Sequence, residues 1–113
     1  MRNVIITGAS GGIGKELAIH FAANNWNVIA TMICLEQGKE LQNIKNIKCF
    51  ILDVTSTESI AVAKSKIMDE FKTIDLVINN AGVGYRSFVE LAEDDEIDKI
   101  VNVNWLGVVK MCR

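Results

Sequence analysis

A doubly wound α/β fold built on a parallel sheet follows from three observations on the 113-residue sequence. Short apolar runs alternate with longer stretches of helical apolar spacing, which is the pattern of βαβ units. Each run is continuously apolar rather than alternating, so the sheet is expected to be covered on both faces. The first run passes straight into the glycine-rich turn Thr7-Gly8-Ala9-Ser10-Gly11-Gly12-Ile13-Gly14 and from there into a helical pattern. Right-handed crossovers then limit the order of the strands.

Val4-Ile5-Ile6-Thr7 reads as the first strand, and Ile13, Leu17, Ala18 and Phe21 place a helix over 13–23. Asn24-Asn25 breaks it. A second strand covers 28–31, a weak helix 36–41 and a third strand 47–52. Thr55-Ser56-Thr57-Glu58 has the form of a capping box, starting a helix with Ile60, Ala63, Ile67 and Phe71 on one face. The fourth strand spans 76–79, Gly82-Val83-Gly84 forms a loop, and a last helix runs from about Glu93 onward, with Asp and Glu at its positive end. No repeat, linker or low-complexity stretch interrupts the series.

With half of its residues hydrophobic, 23% charged and a net charge of −2, the chain has an ordinary globular composition and a modest core. It offers no basic surface for nucleic acid or anionic lipid. No apolar stretch approaches the roughly 18 uncharged residues of a membrane span, and no signal-peptide pattern precedes the first strand, so a cytoplasmic location is expected. Cys34, Cys49 and Cys112 are odd in number and far apart, which suggests neither a disulfide framework nor a zinc site. His20, the single histidine, lies one position off the apolar stripe and reads as a helix-flank residue. No metal site is expected.

A buried strand that turns through glycines into a helix N-terminus is the layout of a dinucleotide phosphate site, where backbone N–H groups and the helix dipole face a pyrophosphate. Gly8, Gly12 and Gly14 follow G-x-x-x-G-x-G, which is neither the G-x-G-x-x-G fingerprint nor the phosphate loop G-x-x-x-x-G-K-[ST]. Ala9 stands where the phosphate loop needs glycine, and Glu16 follows Lys15 where Mg²⁺ would need Ser or Thr. A strand-to-helix turn also uses glycine merely to pack the helix on the sheet, an alternative this loop leaves open by itself.

Three further motifs bear on that choice. Leu52-Asp53-Val54 follows the third strand, Asn79-Asn80-Ala81-Gly82 the fourth, and Val101-x-x-Asn104-x-x-Gly107 lies in the last helix. With Thr7-Gly-x-x-x-Gly-x-Gly14, in this order across the whole chain, they resemble the N-terminal half of the classical short-chain dehydrogenase/reductase family. The resemblance implies a Rossmann-type sheet of order 3-2-1-4, truncated after the fourth strand and its helix, with NAD or NADP across the carboxyl ends of the strands. Residues 1–113 would then be an incomplete NAD(P)-binding domain.

The resemblance also implies roles. Gly8 would make the turn, Gly12 admit the pyrophosphate and Gly14 seat the helix, with the Ser10 hydroxyl and the Ile13 N–H as phosphate or ribose donors. Asp53 would accept from the adenine amino group beside the Val54 N–H, or else simply cap a turn. Asn79, Asn80, Ala81 and Gly82 would steady the sheet and border the cofactor ribose, or else mark a turn. Asn104 matches the asparagine of the family's catalytic tetrad, which holds a water in a proton relay, whereas Asn102 is off register. The tetrad's Ser and its Y-x-x-x-K have no counterpart, since Tyr85 is the single tyrosine and Val89 stands four residues later. At the end of the second strand, Met32 and Ile33 supply neither a carboxylate for the 2′-hydroxyl of NAD nor an arginine for the 2′-phosphate of NADP. Gly11 lacks a basic side chain as well, with Lys15 and Lys39 as candidate substitutes.

The expected function is the dinucleotide-binding part of an NAD(P)-dependent oxidoreductase that moves hydride between nicotinamide and an alcohol or carbonyl substrate. The 113-residue chain itself is expected to be inactive. The alternatives are a stand-alone nucleotide-binding or regulatory module and a non-functional truncated product. Apolar residues on more than one face of the helix over 93–113 also predict self-association there.

Overall fold

The structure, a computed structural model, describes residues 1–84 and 87–113. Strands β1 (Asn3–Ile6), β2 (Asn27–Met32), β3 (Ile47–Ile51) and β4 (Leu76–Ile78) pair in parallel in the order β3-β2-β1-β4. The chain thus moves from β1 outward through β2 to β3 and then crosses to the other side of β1. The gap between the ends of β1 and β4 is the switch point at which such sheets bind ligands.

Alternation along β1 and β2 divides the apolar residues between two faces. Val4, Ile6, Val28, Ala30 and Met32 join Ala18 and Ala22 of helix α1 (Gly12–Ala23) and Leu41 of the short helix α2 (Lys39–Gln42). On the other face Ile5 and Ile29 join Ala63 and Ile67 of helix α3 (Thr57–Phe71), together with Leu52, Val54 and Met111. This is the double covering expected from continuously apolar strands. At the amino ends of the strands, buried Asn3 donates to Thr73 O at 2.8 Å and accepts from Asn27 Nδ2 at 3.0 Å, which satisfies its amide.

The last helical segment is one rod in three parts. Helix α4 (Asp94–Val101) continues through a π-helical stretch, Asn102–Leu106, into helix α5 (Gly107–Cys112), with right-handed helical dihedrals at both junctions. Gly107 seats the rod on the body, because a Cβ there would lie 2.7 Å from Cγ2 of Val54. No residue of α4 is buried.

Two local expectations are corrected. The capping box over Thr55–Glu58 does not form, because Thr55 turns back and donates both its N–H and its hydroxyl to Oδ1 of Asp53. Ser56 is the N-cap instead, accepting the Ser59 N–H at 3.1 Å. The helix over 36–41 divides into a 3₁₀ turn, Leu35–Gly38, followed by α2, and Gly38, between them, packs against the Met32 side chain.

Candidate functional site

The turn after β1 is shaped by two glycines with left-handed backbone. Gly8 has φ +62° and Gly12 φ +57°, values at which a side chain is strained. Their surroundings differ. A Cβ on Gly8 would stand 2.8 Å from the Ala81 Cα, whereas one on Gly12 or Gly11 would meet nothing within 4 Å among the described residues. The bare backbone at Gly11 and Gly12 leads into α1, whose N-cap, Gly11, has no side chain to satisfy the first N–H groups. A phosphate could approach these donors unobstructed, so the turn fits an anionic group.

Thr7 and Asn80 hold the switch point together. The buried Thr7 hydroxyl oxygen accepts the N–H groups of Asn80 and Ala81, each at 3.0 Å. Asn80 Nδ2 donates to the carbonyls of Thr7 and Gly8, each at 3.1 Å. Gly14 lies directly over this amide, and a Cβ there would collide with Asn80 Nδ2 and the Gly8 carbonyl. The loop is also tied to β2 by Ala9 N–H to Thr31 O at 3.0 Å. The adjacent asparagine meets other partners. Asn79 turns the other way, its Nδ2 3.6 Å from Cys112 Sγ and its Oδ1 buried without a partner among the described residues.

A groove of about 410 Å³ opens at the carboxyl ends of the strands, within the range of small-molecule sites. Gly8, Ser10, Asp53, Val54, Asn80, Ala81 and Gly82 line it. Gly12 and Ile13 lie on an adjoining open depression that shares Ser10 and Gly11 with the groove. Asn79 and Asn104 are not on its walls. Asp53 commits Oδ1 to Thr55, while Oδ2 and the Val54 N–H make no hydrogen bond among the described residues.

Asn104 sits in the π-helical stretch and grips the loop after β4. Its Oδ1 accepts the Val83 N–H and its Nδ2 donates to the Val83 carbonyl, both at 2.8 Å. Helix interiors punish an asparagine whose amide lacks such partners. The effect is to hold Gly82 and Val83 at the rim of the groove.

Met32 and Ile33 also line the groove, as do Gln37 and Lys99, which no sequence motif marks. Thr7, at the end of the expected first strand, serves as the clamp. Only Thr7 carried a signal, its place at the head of the glycine motif; Gln37 and Lys99 reach the groove by tertiary placement. Lys15, the candidate basic substitute in the turn, is ion-paired with Glu40, and that bond holds the Glu40 carboxyl below its ordinary range. Tyr85, with Arg86, lies outside the described residues.

The family model for short chain dehydrogenases matches residues 2–113. A 3-ketodihydrosphingosine reductase of Bacteroides thetaiotaomicron is 36% identical over 110 residues, which cover 97% of this chain and 39% of that protein. The solved structure of a 3-ketoacyl-(acyl-carrier-protein) reductase from Brucella melitensis complexed with NADH is similar, with a TM-score of 0.93 at 29% identity over 99% of this chain and 47% of that one. ElxO with NADP bound is similar at a TM-score of 0.88 and 31% identity, over 97% and 47%. The chain therefore spans less than half the length of these relatives.

Proposed function

The chain belongs to the short-chain dehydrogenase family, and on that premise we propose that it is the dinucleotide-binding part of an NAD(P)-dependent oxidoreductase. The parent reaction is hydride transfer between the nicotinamide and an alcohol or carbonyl carbon. The observation that carries the reading is the joining of the open Gly11-Gly12 backbone to a groove containing Asp53 at the switch point of a parallel sheet. Relatives described with NADH and with NADP bound support a nicotinamide cofactor.

In this reading Gly12, Ile13 and the start of α1, with Ser10 alongside, would hold the pyrophosphate, and Gly82 would border the cofactor ribose. Asp53 and Val54 would hold the adenine. The cofactor supplies the hydride; Asn80 and Ala81, fixed by Thr7, keep the floor of the site rigid. Asn104 is the tetrad member of the proposal. Its amide is engaged with Val83, so its part in this chain is to hold the loop after β4 at the rim of the groove. The sequence holds no Y-x-x-x-K, and hydride transfer without a proton donor of that kind lacks its acid–base partner. The 113-residue chain is accordingly a binder without turnover.

Titration of the ¹⁵N-labelled chain with NADH and NADPH tests the placement. The amide signals of Gly12, Ile13, Asp53 and Val54 are expected to move first. Shifts confined to other residues would overturn it.

A further inference from the structure

β3 ends the sheet on the side away from β4, and its outer edge carries no partner strand among the described residues. The bonds from Val28 N–H to Asn46 O at 2.7 Å and from Leu52 N–H to Met32 O at 2.9 Å set which residues face β2. Even-numbered residues do, so the N–H and C=O groups of Cys49 and Ile51 point outward. No loop, turn or side chain among the described residues bonds to these four groups. Beside the edge lies a groove of about 510 Å³, with Phe50 and Ile51 on its strand side and Glu58, Val62 and Lys66 on its α3 side. Ile51 is 56% exposed and Val62 49%. An open edge next to an apolar groove is a place for one more strand.

We propose that the added strand is β3 of a second copy of this chain, paired antiparallel about Phe50 in a twofold interface. Two matches single out this occupant. Residues that face each other in an antiparallel pair exchange either both backbone bonds or none. With Phe50 opposite its own copy, Cys49 faces Ile51 of the second copy, and each of the four free groups on one chain meets a free group on the other.

The second match lies in the side chains. Phe50 and Lys48 project from the same face of the strand, where Phe50 meets Phe71 and Lys48 is ion-paired with Glu70 near the end of α3. The start of α3 lies by the end of β3, because Ser59 Oγ accepts the Asp53 N–H at 2.9 Å. An incoming antiparallel β3 therefore sets its Phe50 beside Val62 and carries its Lys48 to the level of Leu52. Glu58 stands at that end of the groove without an ion pair among the described residues. A copy laid parallel would bring Lys48 to the Lys66 end instead, like charge against like. A twofold contact of this kind closes on itself, so pairing at this edge stops at the dimer. The inference does not depend on what the groove at the switch point binds.

The test uses the full 113-residue chain in sedimentation velocity and in amide hydrogen exchange, each over a concentration series. In wild type the Cys49 and Ile51 amides are expected to become at least about tenfold more protected as the dimer fills. Ile51→Pro removes an outward N–H and leaves the β2 ladder whole, and Glu58→Lys confronts Lys48 of the second copy with a like charge. Each is expected to weaken the dimer at least about tenfold, with melting curves reporting that the fold is kept. Association that neither variant weakens, with both amides exchanging at one rate at all concentrations, runs through another surface and overturns the proposal. So does a chain that is monomeric at every concentration. Loss of the dimer in Ile51→Pro with none in Glu58→Lys overturns the antiparallel register.

Discussion

At the residue scale, two glycines of one motif carry different burdens, which substitution separates. Alanine at Gly8 must adopt φ +62° and press on the Ala81 backbone, so strain and overlap together are expected to cost about 2–4 kcal/mol. Alanine at Gly12 meets the strain alone, about 1 kcal/mol, but its methyl stands where the phosphate would approach. Thermal melts with NADH titrations check the pair: Gly8→Ala lowers stability more, and Gly12→Ala lowers affinity more. The reverse ranking would sink the assignment. Lys15 and Glu40 add a pH dependence. The Glu40 pKa is lowered from 4.5 by the hydrogen bond and charge of Lys15. The support that this pair lends between α1 and α2 is therefore complete above pH 4.5 and disappears as the pH falls through the lower folded value. Its size is small, because Glu40 is exposed. An NMR titration should show the Glu40 carboxyl titrating low in wild type and returning toward 4.5 in Lys15→Met.

At the element scale, what the sequence made legible and what it hid follow from where each element's energy comes from. The inner strands β1 and β2 show as apolar runs, because their apolar side chains alternate between the two cores. The N-cap of α3 was misplaced by one residue because Thr55 and Ser56 suit the role equally, and a tertiary fact decides: Asp53 holds Thr55. Asn79 and Asn80 read alike as letters and differ in the partners the fold gives them, Cys112 for the first and the Thr7 and Gly8 carbonyls for the second. The π-helical stretch left no local signature, and the partner of its Asn104, the Val83 backbone, lies 21 residues away in sequence. Gly107 fixes the other end of that stretch against Val54. Asn104→Ala removes both Val83 bonds and is expected to cost about 1–2 kcal/mol. Amide exchange at Val83 should quicken, while the signals of β1 and β2 stay protected. An equally protected Val83 amide in the variant would show that the loop is held by something else.

At the scale of the whole molecule, β1 and β2 are covered on both faces while the last helical rod is not. The radius of gyration is 14.7 Å, against about 13 Å for a compact domain of this length. Ile97, Val101, Trp105 and Val109 recur every four residues along the rod and stay exposed, Trp105 at 66%. β4, at the edge of the sheet, leaves Leu76 and Val77 more than a third exposed beside it. An open strand edge next to an apolar helix stripe invites pairing with another surface. The 113-residue chain is therefore expected to self-associate through the rod and β4, and Trp105→Lys with Val101→Glu to shift it toward monomer. Sedimentation velocity across a concentration series checks this, and a wild-type monomer at every concentration would overturn it. Association alone supplies no Y-x-x-x-K, so oligomers of this chain should bind NADH yet leave its absorbance at 340 nm unchanged with alcohol or carbonyl substrates. Steady NAD(P)-dependent turnover by the purified chain would mean that the proton donor comes from residues outside the family's pattern.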